Sequence, residues 1–244
     1  MHIMISAGNS QVGSYLANKY LQEGHLLSLL YHRRKERIES IMLSSRVYAE
    51  AVDLAALTNL DTTIGNCCDR HGSCPDVIIH CAAVRSYDAK PLAQTDPLIF
   101  QEVLCTNVLF TYNVLRSLLP LMRERAYGRI VLFGSNVTQT GLACGSAYAA
   151  AKTAVVNLAK SVARENNDID LIINCISPAP VETALEEDFQ GEYLQFRKQY
   201  FANYLAQNPG FKLVSKEEIK EVIDMIIHSN DKSQSGKEIF LGTE

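Results

Sequence analysis

Three side chains in the segment GSNVTQTGLACGSAYAAAK have the types and spacing needed to exchange a proton with an oxygen atom. Tyr148 and Lys152 are four residues apart, so on a helix their side chains lie on the same face, one turn apart. A phenol normally ionises near pH ~10, which is too high for acid–base catalysis at neutral pH. The positive charge of the lysine would lower the pKa of this phenol. Ser135, thirteen residues before the tyrosine, could hydrogen-bond the same oxygen of an alcohol or carbonyl group.

Composition narrows the class of protein. The 244 residues are 47% hydrophobic, which is enough for the core of one large domain or two small ones. A net charge of −4 disfavours a nucleic acid or an anionic membrane as the partner. No apolar run reaches the ~18 residues of a membrane span, and the N-terminal residues MHIMISAGNS lack a secretory signal pattern. We therefore expect no membrane association, a cytoplasmic location and reduced thiols at all seven cysteines.

One stretch combines residue types that bind zinc: Cys67, Cys68, His71, Cys74, His80 and Cys81. A zinc site needs ligand pairs with spacings of the C-x2-4-C and H-x3-5-H type. Cys68 and Cys74 are six residues apart, whereas His80 and Cys81 end an apolar strand. We therefore expect no metal site here, only unrelated residues in and after a loop.

Short apolar runs alternate with longer helical stretches along the chain. Continuous aliphatic and β-branched runs between helices are typical of strands buried on both faces of a parallel sheet. The predicted strands are 2–6, 25–31, 46–52, 76–82, 129–134, 171–176 and 237–241. The predicted helices are 12–23, 35–44, 54–71, 96–122, 146–166 and 215–228. This order predicts a doubly wound α/β domain with helices on both faces of the sheet.

The segment 179–214 interrupts this alternation. It is rich in aromatic and charged residues and lies between the sixth strand and the last helix. Loops of this length are usually lids or binding segments, and this one leaves the carboxyl end of a strand, where ligands bind in doubly wound sheets. We expect a substrate lid; the alternative is an extra pair of helices packed on the rim.

The first strand-to-helix turn of a doubly wound sheet cradles a pyrophosphate on backbone amides. Here that turn runs from Ser6 to Gly13, and it retains only part of the usual glycine pattern. Gly8 and Gly13 are present, while Ala7 and Gln11 stand where glycines are expected. The candidate pyrophosphate-binding residues are Gly8, Ser10, Gln11, Val12 and Gly13. A plain tight turn would need Gly13 as well, for close packing of the helix on the strand.

The end of the second strand indicates which nicotinamide cofactor would bind. An acidic residue there binds the ribose hydroxyls of NAD, and a basic residue pairs with the extra phosphate of NADP. This chain reads Tyr-His-Arg-Arg-Lys over 31–35, with His32, Arg33 and Arg34 as the candidates. Cations are unfavourable at a helix N-terminus unless an anion is near, although a basic run can also be a solvated helix start. The pattern favours NADP, with NAD as the alternative.

With the Ser–Tyr–Lys spacing, the strand–helix order and the length taken together, the chain resembles the short-chain dehydrogenases/reductases over about residues 2–241. It is most similar to the 3-oxoacyl-[acyl-carrier-protein] reductase-like branch, through the string YGRIVLFGS and the string SAYAAAKTAVVNLAKSVAREN. Asn107, in the long helix before these strings, adds to the likeness. The resemblance implies a single Rossmann-type domain over 1–244, with a parallel sheet of about seven strands and a lid at about 179–214.

The resemblance also implies a role for each matched residue. Tyr148 would donate and accept the proton, and Lys152 would lower its pKa and hold the nicotinamide ribose. Ser135 would bind the substrate oxygen, and Asn107 would support the lysine through a bound water. Asp53 would contact the adenine ring. The remaining cofactor positions are Leu54, Cys81, Ala82, Ala83, Pro178, Val181, whose backbone would meet the carboxamide, and Thr183.

The departures from the family pattern cluster at the cofactor end. The family's Asn-Asn-Ala-Gly is His-Cys-Ala-Ala at 80–83, and its Pro-Gly is Pro-Ala at 178–179. An alanine is tolerated where the backbone keeps φ below zero. The side chain of Gln11 must either turn away from the pyrophosphate or hydrogen-bond to it. His80 is given no catalytic role.

The resemblance implies an NADP-preferring enzyme that reduces a ketone or 3-oxoacyl group, assembled as a homotetramer or homodimer through helices 96–122 and 146–166. The substrate would be a small molecule or be presented by an acyl carrier. Arg123, Arg125 and Arg129 could attract an acidic carrier protein, although basic residues at the C-terminus of a helix also interact favourably with the helix dipole. A steroid-like or polyketide ketone is an alternative substrate. A different alternative is a non-catalytic, cofactor-poor subunit that binds or assembles with a partner; the missing glycines support it and the complete Asn–Ser–Tyr–Lys set opposes it.

Overall fold

The computed structural model describes residues 1–242, and these contain one parallel β-sheet of seven strands in the order β3-β2-β1-β4-β5-β6-β7. The strands are β1 (His2–Ser6), β2 (Leu26–Tyr31), β3 (Val47–Ala51), β4 (Val77–His80), β5 (Tyr127–Phe133), β6 (Asp170–Pro178) and β7 (Glu238–Leu241). The predicted doubly wound parallel sheet is confirmed.

Helices cover both faces of the sheet. They are α1 (Gln11–Gln22), α2 (Glu39–Met42), α3 (Leu57–His71), α4 (Pro97–Glu124), α5 (Val137–Thr140), α6 (Ser146–Glu165), α7 (Leu185–Asp188), α8 (Gly191–Gln207) and α9 (Lys216–Ile227). Short 3-10 turns lie at Leu92–Gln94 and Lys232–Gln234. Helices α1 and α9 lie on one face, and helices α3, α4 and α6 lie on the other.

The central strands are buried on both faces because their side chains alternate between two hydrophobic cores. In β1, Ile3 and Ile5 pack into the core under α1 and α9. Met4, between them, packs with Ile78 and Ile130 into the core under α3, α4 and α6. Uninterrupted apolar strands therefore reflect two cores that share one sheet.

The strand order reverses between β1 and β4, which are neighbours in the sheet. Ser6 and His80 are register partners at the carboxyl ends of these two strands, and the Ser6 hydroxyl is hydrogen-bonded to His80 Nδ1 at 2.7 Å. Ligands of doubly wound sheets bind in the crevice that opens at such a reversal. The fold therefore places the candidate site at this edge.

The predicted helix at 35–44 is wrong over most of its length, because only Glu39–Met42 is helical. Lys35 to Ile38 form a turn instead, closed by a hydrogen bond from Ile38 N to Lys35 O. Within this turn Arg37 reaches across to residues of the 179–214 segment, with which it forms ion pairs. Long-range ion pairs of this kind leave no local pattern in the sequence.

The segment 179–214 contains α7 and α8, so the predicted loop is largely helical. At its base, Val181 and Val214 form an isolated parallel bridge, with Val214 N donating to Pro180 O at 2.9 Å and Glu182 N donating to Val214 O at 2.8 Å. The helix pair that was the alternative is therefore present. Several of its side chains line the same cleft as Tyr148, as described below.

Two expectations about cysteines and arginines need correction. Cys68 and Cys74 form a disulfide, against the expectation that these were unrelated, reduced thiols. Arg129 is 1% exposed and donates to the carbonyl oxygens of Asp170 and Ser229, so it cannot attract an acidic carrier protein. Arg123 and Arg125 are held by residues of this chain at Asn166, Asp168, Cys74, Pro75 and Asp76.

One helix within residues 1–242, α4, is long and apolar enough to cross a membrane by length and composition, with a mean hydropathy of 1.3 over its best window. The same test is passed by core helices of soluble proteins. Here Val114 and Leu118 of α4 are buried in the core that α4 shares with α3 and α6, whereas Leu98 and Tyr112 are exposed.

Candidate active site

Tyr148 and Lys152 lie in the first two turns of α6, on the face that looks into the cleft at the carboxyl edge of the sheet. Lys152 is only 4% exposed, and its Nζ donates to the carbonyl oxygen of Phe133 at 2.7 Å. The same Nζ lies 5.7 Å from the centre of the Tyr148 ring. The buried ammonium is thus tied to the end of β5 and held against the phenol.

The pKa of Tyr148 is lowered from its ordinary value near 10. Burial by itself would raise this pKa. The positive charges of Lys152, Arg85 and Arg197, together with a hydrogen bond to Ser135, outweigh burial and stabilise the phenolate. The phenol is therefore prepared to exchange a proton closer to neutral pH, as the spacing predicts.

Ser135 is brought to the phenol by a close approach of two strands. Gly134 directly after β5 leaves no room for a side chain, since a Cβ there would lie 2.2 Å from Ser177 Oγ of β6. This tight packing fixes the backbone at which Ser135 leaves the sheet. Ser135 and Tyr148 line the same cleft, with their hydroxyl groups in hydrogen-bonding reach.

The side chain of Asn107 binds the backbone of the loop after β4 rather than Lys152. Its Oδ1 accepts from Val84 N at 3.0 Å, and its Nδ2 donates to Val84 O at 2.7 Å and to Val103 O at 2.6 Å. One amide hydrogen and the amide oxygen thus hold this loop against α4, and the other hydrogen is bound by Val103 O within α4. A water-mediated relay from Lys152 to Asn107 stays a prediction.

The first strand-to-helix turn keeps the shape of a phosphate-binding turn although Ala7 replaces a glycine. Ala7 has φ of 48°, so the condition that the replacing alanines keep φ below zero is not met there; Ala83 and Ala179 do meet it. A Cβ at Gly13 would lie 2.4 Å from Ala7 O, so α1 starts in close contact with the turn. The first N–H groups of α1 have no partner within the helix, which suits an anion.

Gln11 turns its side chain away from this turn and onto the 179–214 segment. Its Oε1 accepts from Ala184 N, and its Nε2 donates to Ala184 O and to Asp188 Oδ2, each at 2.8 Å. The side chain therefore pairs with a backbone amide as a neighbouring strand would. The Gln11 amide group is thus used by Ala184 and Asp188, and Ser10, Gln11 and Val12 of this turn line the same cleft as Tyr148. These residues would hold the pyrophosphate of a dinucleotide.

Arg37 strengthens the same connection. Its Nη2 lies 2.8 Å from Asp188 Oδ1 and 2.9 Å from Glu187 Oε2, and its Nη1 donates to Asn9 O at 3.4 Å. Gln11 and Arg37 together fasten α7 to the first turn and to the loop after β2. We call this set of contacts the α7 clasp.

We expect Gln11→Ala to loosen α7 with little loss of global stability, because three hydrogen bonds worth about 0.5 to 1.5 kcal/mol each are lost at one local segment. Hydrogen–deuterium exchange of amides 184–190 should become faster by roughly tenfold, with a small change in Tm. Gln22→Ala, at the exposed end of the same helix, is the control and should leave this exchange unchanged. Equal exchange in both variants would contradict a fastening role.

The structure brings many of the other candidate residues to the cleft and leaves some outside it. The candidates that line the cleft are Ser10, Gln11, Val12, Cys81, Ala83, Ser135, Tyr148, Lys152, Pro178, Val181 and Thr183. Those that do not are Gly8, Gly13, His32, Arg33, Arg34, Asp53, Leu54, Ala82 and Asn107. Asp53 is exposed and accepts from Ala55 N at 2.9 Å, while His32, Arg33 and Arg34 are exposed at the end of β2.

His80 lies beneath the site in a buried position. Burial and the positive charge of Lys152 lower the pKa of His80 to about 3, so the imidazole is neutral. Burial also raises the pKa of the neighbouring Cys81 to about 12. Within residues 1–242 no three His, Cys, Asp or Glu side chains are grouped so as to hold a metal ion.

Sequence reasoning missed two arginines that face the phenol. Arg85, after β4, and Arg197, in α8, both line the cleft, and both lower the pKa of Tyr148. Neither belongs to a motif. The signal that could have found them is a basic residue in each segment that follows the carboxyl end of a strand near the site.

Comparisons with known proteins agree with this geometry. A sequence model described as short chain dehydrogenase matches residues 1–193. The oxidoreductase asL5 of Sarocladium schorii is 27% identical over 238 residues, covering 97% of this chain and 92% of that protein. The 3-oxoacyl-[acyl-carrier-protein] reductase MabA of Mycobacterium avium is 24% identical over 212 residues, covering 85% of this chain and 79% of that protein.

A solved structure shares the fold. The structure titled ElxO with NADP bound superposes with a TM-score of 0.83 at 21% identity, covering 98% of this chain and 96% of that one. The fold predicted from the sequence is thereby confirmed. Because the family model spans most of the sequence, including both the first turn and the Ser–Tyr–Lys set, the chain belongs to the short-chain dehydrogenases, a family of oxidoreductases.

Proposed function

We propose that this protein reduces a ketone or 3-oxoacyl group to a secondary alcohol with NADP(H), and that Tyr148 donates the proton. The observation that carries this proposal is the lowered pKa of a phenol held between Lys152 and Ser135 in one cleft. A general acid must reach the developing alkoxide and have a pKa near the working pH. Tyr148 lines the cleft beside Ser135, and its lowered pKa brings the phenol closer to that range.

The cofactor would supply a hydride to the carbonyl carbon, and residues of this chain would bind the carbonyl oxygen and transfer the proton to it. Ser135 and Tyr148 hydrogen-bond the carbonyl oxygen and hold it in place. As negative charge develops on that oxygen, Tyr148 transfers its proton, and Lys152 stabilises the resulting phenolate. Tyr200 and Phe201 of α8 line the cleft and would limit the access of water to the reacting groups.

The preference for NADP rests on the basic residues after β2. Arg33 and Arg34 are exposed, and neither is in an ion pair within residues 1–242, so both are available to a phosphate. The NADP in the structure of ElxO supports the same choice. The carboxylate that would bind NAD at this position is absent from residues 31–35. NAD remains the alternative cofactor.

Titration with the two cofactors tests this proposal. We expect NADPH to bind at least about tenfold more tightly than NADH, because each well-placed phosphate contact adds a charge-assisted hydrogen bond. The double variant Arg33→Ala, Arg34→Ala should lose this difference by weakening NADPH alone, and Arg70→Ala on the exposed face of α3 should not. Cofactor fluorescence measures both constants. Binding of neither cofactor below the millimolar range would instead favour the non-catalytic, cofactor-poor subunit.

We further propose that the 244 residues act as one unit, in which 179–214 serves as a lid over the substrate, and that the protein works in the cytoplasm as a homodimer or homotetramer. The exposed apolar side chains Leu98, Leu109 and Tyr112 of α4 support assembly through α4 and α6. Sedimentation velocity gives the assembled mass; a monomer at micromolar concentration would exclude this assembly.

The substrate is a small carbonyl compound or one attached to an acyl carrier. The likeness to MabA supports a 3-oxoacyl group. The engagement of Arg123, Arg125 and Arg129 within the chain removes the argument for a carrier that came from those residues.

A further inference from the structure

Two positive side chains from distant parts of the chain meet on the phenol side of the cleft. Arg85 comes from the loop after β4, and Arg197 comes from the second turn of α8. Both line the cleft with Ser135 and Tyr148, and both act electrostatically on the phenol. They therefore lie where the substrate's carbonyl group and its nearest substituents would be.

Neither arginine is neutralised by the protein. Among the ion pairs within residues 1–242, none involves Arg85 or Arg197. Asp188 also lines the cleft, but its two oxygens are occupied by Arg37 and Gln11 in the α7 clasp. The carboxylate that lines the cleft is thus already bound elsewhere.

The burial of Arg197 makes this lack of a partner costly. Its Nε is buried and has no acceptor in the described part of the chain. Burying a polar or charged group is unfavourable unless a hydrogen-bond acceptor or an opposite charge, such as that of a ligand, pairs with it. Burial, and after it the like charge of Arg85, lower the pKa of the Arg197 guanidinium.

Aromatic packing explains the positions of these arginines but not their charge. The Arg85 Cζ lies 5.3 Å from the centre of the Phe189 ring, and the Arg197 Cζ lies 5.8 Å from the same centre. Arg197 also lies 5.0 Å from the Phe201 ring and 5.5 Å from the Tyr200 ring. Contacts with ring faces are worth about 0.5 to 2 kcal/mol each and leave the guanidinium hydrogens free. Packing alone would not favour two such cations at one phenol.

The loop that carries Arg85 is fixed rather than free. The side chain of Asn107 binds both backbone groups of Val84, the residue directly before Arg85. Arg197 is held on a helix by its three aromatic neighbours. Two donors on rigid supports form a preorganised site for a planar oxyanion, which guanidinium groups bind through paired hydrogen bonds.

We propose that Arg85 and Arg197 form an anion-binding subsite, and that the substrate carries a carboxylate which this subsite binds while the carbonyl oxygen meets Tyr148 and Ser135. The substrate class is then a keto acid. The subsite itself depends only on the two arginines, whereas the identity of the ligand as a keto acid rests on the proposed carbonyl reduction.

Calorimetric titration tests the subsite independently of turnover. With NADPH present, the protein should bind malonate, a dicarboxylate that it cannot reduce, and should not bind the neutral malonamide measurably. Arg197→Met and Arg85→Met should each raise the dissociation constant for malonate by roughly ten- to hundredfold. Arg197→Lys should recover part of the loss, which distinguishes charge from packing, and Arg70→Met is the control. Malonate binding unchanged in both methionine variants, or no malonate binding at all, overturns the subsite.

Steady-state kinetics tests the keto acid. A 3-oxo acid should be reduced with kcat/KM roughly ten- to hundredfold above that of its methyl ester, and Arg197→Met should remove this difference by lowering the value for the acid alone. Equal values for acid and ester in the unaltered protein overturn the keto-acid assignment. If neither compound is reduced while malonate binding still depends on Arg85 and Arg197, the subsite stands and the proposed reduction fails. A phosphonate analogue that binds more tightly than malonate would overturn the choice of carboxylate.

Discussion

Tyr148→Phe should lower kcat/KM for carbonyl reduction by about 10²- to 10⁴-fold, the usual contribution of a general acid, while the Kd for NADPH changes by less than about threefold. The substitution removes one oxygen atom and keeps the ring on the same face of α6. The developing alkoxide would then have no proton donor beside it.

The matched control is Tyr200→Phe, which removes a phenol oxygen from another residue of the same cleft. Burial raises the pKa of Tyr200 above its ordinary value, so the phenol of Tyr200 is not prepared for proton transfer near neutral pH. We expect a loss of less than about tenfold there. Stopped-flow absorbance at the nicotinamide band measures both rates. Full turnover in Tyr148→Phe would end the proposed mechanism, whatever the cofactor titration shows.

Lys152→Met should lower reduction by about 10²-fold or more and move its pH profile to higher pH. Reduction needs a protonated phenol, so its rate falls as the pH rises through the pKa of Tyr148. Oxidation of the alcohol needs the phenolate, so its rate rises through the same pKa. Burial raises the pKa of Tyr148, and without the Lys152 ammonium only Arg85, Arg197 and Ser135 act against it. The pKa of Tyr148 therefore rises, and the pH at which reduction slows and oxidation speeds up rises with it.

The kcat/KM profiles of reduction and oxidation between pH 6 and pH 11 measure this shift. Lys160→Met, on the exposed side of the same helix, is the control for the loss of a lysine from α6. Lys152→Met should also unfold at a lower temperature than the unaltered protein, because Phe133 O loses its hydrogen-bond donor in a buried position. A profile that keeps its limits while the rate falls would show that Lys152 acts only in binding.

The sheet and the proton-transfer residues could be predicted because both leave local patterns. Strands buried on both faces appear as continuous runs such as HIMIS and RIVLFG. Tyr148 and Lys152 are related by a helix turn, which the sequence displays directly. The parallel direction of the strands then follows from the regular alternation of strand and helix.

The α7 clasp and the two cleft arginines could not be predicted because they depend on side chains that meet only in three dimensions. Gln11 is 173 residues from Ala184, and Arg37 is 151 residues from Asp188. No periodicity relates such positions. The same contacts explain why residues 35–38 are not helical and why the Gln11 side chain points to α7.

The residues that line the cleft come from two parts of the sequence, and α8 belongs to the second part. The match to the family ends at residue 193, after the first turn, Ser135, Tyr148 and Lys152 but before Arg197, Tyr200 and Phe201. The residues proposed for hydride and proton chemistry thus lie within the part of the chain that the family model describes. The wall of the cleft that carries Arg197, Tyr200 and Phe201 is contributed by a helix that begins at Gly191, next to the end of that part. In the proposed reaction, a change of sequence in this helix would alter the choice of substrate and leave every group that moves a proton in place.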